Sequence, residues 1–230
     1  MYTGFSDEAS KFLYDMSCNN SKEYFEDNRE RYEKFIKAPS QEYVEEMGEH
    51  LMALAPVHLN AVPKINGSLF RFYRDTRFAK DKRPMKEEVG LVIWQGENPR
   101  LKSSSFYMQF TPTTLFLAVG IRWFDKETRD VYRDHIKIKK NAARLHDIYE
   151  VLIQKGYSIP EDKYKRFPKG FKKEDKYSYL ALKDAAYVIQ SFDVKNLYGE
   201  QFIDFAYQHY ETMFDLQNYV YEMSLEVEYE

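Results

Sequence analysis

Three apolar, β-rich runs lie close together in the middle of this chain, and their spacing restricts its fold more than any other feature. "VGLVIWQ" (89–95) is followed by the turn-like "GENP". "SFYMQF" (105–110) alternates, so Phe106, Met108 and Phe110 share one face of a strand. After "TPTT", the run "LFLAVGI" (115–121) puts Leu115, Leu117, Val119 and Ile121 on one face. "GSLFRFY" (67–73) reads as a further strand ahead of them. Short turns join antiparallel neighbours, so a meander of about four strands is predicted.

Helical periodicity occupies both sides of the meander. Ser6 can cap a helix, with Asp7 and Glu8 in the first turn, where the helix dipole favours acids. Phe12, Leu13 and Met16 form its apolar stripe, and "NN" at 19–20 breaks it. Ser21 can cap the next helix, along which Phe25, Tyr32, Phe35 and Ile36 recur. Pro39 and Ser40 are predicted to end that helix and start another, buried through Tyr43, Val44, Met47, Leu51 and Leu54. Beyond the meander, "DKETRDVYRDHI" begins on an Asp cap, and "AARLHDIYEVLIQKG" ends at Gly156. Residues 157–173 read as irregular, "DKYSYLALK" as helix, "AAYVIQSF" as one more strand, and 197–227 as a long helix. This order predicts an α+β fold and a single domain over 1–230. It has a helical segment at 1–56, an antiparallel sheet of about four to five strands within 64–122, and a mostly helical 125–230 with one further strand.

Several function classes lack their signatures. There is no G-x-G-x-x-G, no P-loop and no G-x-S-x-G elbow. No apolar run is long enough to span a bilayer. The N-terminus lacks the basic start and apolar core of a signal peptide, and Cys18 is the one cysteine, so a cytoplasmic location is expected. Cys18 reads as a small core residue rather than a nucleophile. The five histidines show no close ligand spacing, so no metal site is predicted from them. The aromatic share of 17% argues for a packed chain rather than a disordered one.

The formal net charge of −3 conceals segregation. Residues 1–50 carry twelve acids against six bases, and residues 193–230 nine acids against one base. Residues 64–86 carry eight bases against two acids, and residues 163–173 six bases and no acid. The densest part is "RFYRDTRFAKDKRPMK" (71–86), seven bases opposed by Asp75 and Asp81. Alternation sends Phe70 and Phe72 to a buried face and Arg71 and Tyr73, with Leu69, to the other. Arginine presents a rigid fork of donors that matches carboxylate or phosphate. Arg71, Arg74, Arg77, Lys82 and Lys86 are therefore candidate ligand-binding residues, and Asp75 and Asp81 the candidate acid/base pair if chemistry occurs. The same two carboxylates could hold Mg²⁺ beside a phosphate, although their spacing is a weak metal signal.

The stretch also resembles the signature of the domain of unknown function 2461 family. "NNSKEYFEDNRERYEKF" (19–35), "RWFDKETRDVYRDHI" (122–136) and "RFPKGF" (166–171) are similar to its other motifs, so the resemblance covers about the whole chain. Tyr24 stands where the family usually has Trp, and Met85 where it usually has Tyr. The resemblance implies a single-domain α+β fold and no established activity. It adds Arg29, Arg133 and Arg166 to the shared, mostly polar pattern, which comes from four separated segments. A pattern made for packing alone would be mostly apolar. These segments are expected to meet in a basic cleft, with Tyr73 and Lys169 among its lining, that binds a small phosphate- or carboxylate-bearing molecule. Whether it is an enzyme stays open. Two other readings remain. The arginines could form an internal salt-bridge lattice in a structural or protein-interaction domain, or the basic and aromatic residues could bind nucleic acid, against which the acidic ends stand. Oligomeric state is not legible.

Overall fold

The meander forms where alternation puts it. In the structure, a computed structural model that describes residues 2–227, five strands make one antiparallel sheet in chain order. They are β1 (Leu59–Asn60), β2 (Val89–Gln95), β3 (Ser104–Phe110), β4 (Thr114–Ile121) and β5 (Ala186–Asp193). Phe106, Met108, Phe110, Leu115, Leu117, Val119 and Ile121 are all buried, as their common faces require. The chain is an α+β domain. Met1 and residues 228–230, the ends of the domain read over 1–230 and of its acidic tail, lie outside the described residues.

The helices are α1 (Asp7–Cys18), α2 (Lys22–Asp27), α3 (Arg29–Tyr32), α4 (Ala38–Leu51), α5 (Lys126–Lys137), α6 (Lys139–Gln154) and α7 (Phe202–Ser224). Ser21 caps α2 by accepting from the Tyr24 amide at 3.0 Å, and Asp125 caps α5 through the Thr128 amide at 2.9 Å. Gly156 ends α6 at φ +89°, the left-handed conformation that lets the Tyr157 amide reach back to the Leu152 carbonyl at 3.0 Å. Ser6 stands at the start of α1, but its side chain makes no capping bond.

Four expectations need correction. Pro39 does not end a helix: α3 runs into α4 through a π-turn over Glu33–Lys37. There the Ala38 amide bonds to the Glu33 carbonyl, five residues back. The Ser40 hydroxyl donates to the Ile36 carbonyl at 2.6 Å. The wider turn makes room for a proline ring that a regular helix would expel. Cys18 is exposed rather than a core residue. "DKYSYLALK" forms only a short 3₁₀ turn, Ser178–Leu182.

Fourth, 67–73 is not a regular strand, because its pairing changes register. Leu69 faces Leu91, while Tyr73 faces Met85. Four steps along one segment are matched by six along the other, so two extra residues bulge out between Lys86 and Gly90, opposite Arg71. On one side of the bulge Phe70 donates to the Gly90 carbonyl at 3.2 Å; on the other Lys86 donates to the Phe72 carbonyl at 2.9 Å. Leu69 is buried, not on the open face with Arg71.

Two compact units are distinguished. Of the described residues, the first holds 2–93, Tyr107–Leu117 and Ser191–His209, and the second holds Trp94–Phe106, Ala118–Gln190 and 210–227. In the second, the Phe106 and Tyr210 rings meet edge-on at 5.4 Å, and the Ser104 hydroxyl donates to Gln217 Oε1 at 2.8 Å. In the first, Phe5 packs on Phe110 at 5.2 Å and Tyr43 stacks on Phe202 at 5.3 Å. Phe72 is inserted among Phe12, Phe25 and Tyr32 at 5.8, 5.6 and 5.3 Å between ring centroids. This cluster fastens the arginine-rich stretch to the N-terminal helices. Phe72→Ala is expected to cost about 3–5 kcal/mol in urea unfolding. Phe78→Ala, at a side chain 96% exposed, is expected to stay within about 0.5 kcal/mol.

Candidate functional site

The alternation around buried Phe72 turns its neighbours outward, and both Arg71 and Tyr73 are exposed. Beyond them Asn20 holds the returning strand. Its side-chain amide donates to the Met85 carbonyl at 3.1 Å and accepts from the Met85 amide at 2.9 Å, as a neighbouring strand would. Met85 is fully buried, which suits an apolar residue at that position.

Between these two anchors the loop largely satisfies itself. Arg74 donates to Asp81 at 2.8 Å and to the Arg83 carbonyl at 3.1 Å. Arg83 grips the same Asp81 through two nitrogens, at 2.9 and 2.7 Å, and pairs with Glu87. Arg77 holds Asp75 at 2.9 and 2.6 Å. Lys82 donates to the Thr76 carbonyl at 2.9 Å. Asp75 and Asp81 also accept from the amides of Arg77 and Arg83, two residues on, which shapes the turns. The Arg77 guanidinium lowers the Asp75 pKa to about 2, and Arg83, with Arg74, holds Asp81 well below the ordinary carboxylate range. Carboxylates that remain ionised and are already gripped by arginines are poor proton carriers at neutral pH.

Arg29 and Tyr73 come together through a residue that the sequence did not single out. Arg29 holds Glu26 at 2.9 and 3.1 Å, and the Tyr73 hydroxyl donates to Glu26 at 3.0 Å. The Arg29 hydrogen bond lowers the Glu26 pKa, and burial raises that of Tyr73.

Arg71 differs from the other arginines of the stretch. It makes no hydrogen bond or ion pair with any described residue, and feels Asp75 only as a longer-range charge. It lines a shallow groove, open to solvent, together with Tyr32, Lys37, Ser40, Lys86 and Glu88. The π-turn supplies one wall and the bulge the other. Lys37 is paired with Glu33 at 2.7 Å, and the Lys86 ammonium lies over the Phe70 ring at 5.3 Å. Burial pushes the Tyr32 phenol up to about 12, so it stays protonated. Gly90 completes the bulge: a Cβ there would lie 2.9 Å from the Tyr107 hydroxyl. Glu88, Lys37 and Ser40 carry no signature in the sequence, because only the register change and the π-turn bring them to Arg71.

Arg133, Arg166 and Lys169 belong to the second unit. The Arg133 guanidinium lies over the Tyr164 ring at 5.0 Å, and its buried Nε has no hydrogen-bond partner among the described residues. The Tyr164 hydroxyl donates to Asp184 at 3.0 Å, which Arg129 also approaches at 3.4 Å. Arg166 and Lys169 are exposed beside a turn that Phe171 closes onto the Pro168 carbonyl at 3.1 Å. His135 pairs with Glu226, and His146 with the Tyr179 hydroxyl, both at 3.0 Å. Among the described residues no group of three or more His, Cys, Asp or Glu is arranged to hold a metal ion. No helix among them is long and apolar enough to cross a membrane.

Sheet, π-turn and bulge thus define an α+β protein whose arginine motif is half ion-pair lattice and half open groove. The profile of a family described as a conserved hypothetical protein, DUF2461, matches residues 8–219, and the chain belongs to that family. No curated protein matches it.

The loop pairs carry a pH dependence. Asp81 is held below its unfolded pKa, so its pairing stabilises fully above about pH 4 and is lost as pH falls towards the folded value. Asp81→Asn is expected to lower the melting temperature at pH 7 and low salt, with the difference from wild type narrowing as the pH falls from about 4 to about 2. An equal difference at both ends of that range would count against an ion-pair role.

Proposed function

We propose that the protein binds a small phosphate- or carboxylate-bearing molecule in the groove at Arg71. The observation that carries this reading is that Arg71 lines the groove with no hydrogen-bond or ion-pair partner among the described residues. An arginine fork left open beside a lysine stem and a buried phenol suits an oxyanion. The paired arginines of the loop support a different role for residues 74–83: they brace the groove's rim, and Asp75 and Asp81 act as braces rather than as acid and base. Exposed ion pairs of this kind add little stability one at a time, but together they hold a loop in one shape. Binding needs no metal in this proposal, and a cytoplasmic location, resting on the single exposed Cys18, belongs to it.

The test is a thermal-shift panel of inorganic phosphate, sugar phosphates, nucleotides and dicarboxylates, each with and without Mg²⁺. A ligand at one hundred times its Kd adds about 2.7 kcal/mol and raises the melting temperature by roughly 5–10 °C. The shift is expected in wild type and in Arg77→Ala, and to be absent in Arg71→Ala. A panel with no shift, or one that Arg71→Ala leaves intact, would overturn the reading. An oligonucleotide whose binding weakens steeply with salt would replace it with nucleic-acid binding.

A further inference from the structure

The groove holds a second charge without a partner among the described residues. Glu88 sits in the bulge opposite Arg71, lines the same groove and is half-buried. Its carboxylate makes no hydrogen bond or ion pair with any described residue, and the two side chains, though opposite in sign and near in register, do not pair with each other. The neighbouring acids behave differently: Glu87 is taken by Arg83 and Glu33 by Lys37. The bulge explains the separation. Regular pairing would set Arg71 opposite Val89 in the Leu69–Leu91 register or opposite Glu87 in the Tyr73–Met85 register, whereas the two inserted residues leave Glu88 in the middle of the bulge.

A half-buried charge without a partner loses part of its hydration and receives nothing in exchange. Glu88 is such a charge, and with the exposed Arg71 of opposite sign on the same groove it sets a requirement that a simple anion cannot meet. It would satisfy Arg71 and be repelled by Glu88. We infer that the ligand is a zwitterion: its carboxylate or phosphate docks on Arg71 and its ammonium group on Glu88. This rests on the anion-binding reading above and adds the second charge.

The experiment compares ligand pairs that differ only in the amino group: β-alanine with propionate, and O-phosphoethanolamine with ethyl phosphate. Binding to the full chain is followed by isothermal titration calorimetry at constant ionic strength. The two pairs also separate a carboxylate from a phosphate as the anionic end. In wild type at least one amino-bearing ligand is expected to bind about tenfold or more tightly than its partner, the range of a charge-assisted hydrogen bond. Glu88→Gln is expected to abolish that preference while the ligand lacking the amino group binds as well as before or better. Arg71→Ala is expected to weaken both members of the pair. Equal affinities within both pairs in wild type overturn the zwitterion inference and leave the anion site standing. So does a preference that Glu88→Gln retains. No binding by any of the four overturns both. The wild-type comparison stands alone if a variant fails to fold.

Discussion

The burial of one phenylalanine organises the part of this protein that carries its motif. Phe72 lies among Phe12, Phe25 and Tyr32, so a segment rich in arginine is held against helices rich in acid. Because side chains alternate along an extended chain, burying Phe72 obliges Arg71 and Tyr73 to face outward. Tyr73 then reaches Glu26, already held by Arg29. Asn20 fastens the return strand from the same helical segment. Aromatic packing supplies the free energy, and the polar contacts set the register.

Two backbone irregularities face each other across the groove. The π-turn of Glu33–Lys37 accommodates Pro39 without breaking the helix, and the bulge opposite Arg71 opens the strand pair. Both devices recur at functional sites, because each re-aims side chains that a regular element would point elsewhere. Here they leave Arg71 and Glu88 without a hydrogen-bond or ion-pair partner among the described residues, while Arg74, Arg83 and Glu87 are paired. The arginine motif therefore divides by chemistry: residues 74–83 brace a loop, and Arg71 faces open space.

Much of the fold was legible because its signals are local. Alternation in "SFYMQF" and "LFLAVGI" located β3 and β4, and Ser21, Asp125 and Gly156 marked helix ends where they stand. Misreadings arose where the backbone departs from a regular period. Pro39 breaks a helix in general, but a π-turn removes the clash, and nothing in "EKFIKAPS" announces one. "GSLFRFY" alternates well, yet its two halves pair in different registers, and Leu69 is consequently buried.

The sequence by itself determined the order of elements, the sign of the charge in each segment and the outward direction of Arg71, since these follow from residue type and a two- or 3.6-residue period. Tertiary structure decided which cation met which carboxylate. Arg74 finds Asp81 seven residues on, Tyr73 finds Glu26 in a different segment, and Arg71 finds neither. An ion pair needs two groups within a few ångströms, and that distance is set by register, bulge and helix docking. The chain alone can show an excess of positive charge, but the fold decides which arginines of the stretch 71–86 are paired among the described residues and that Arg71 is not.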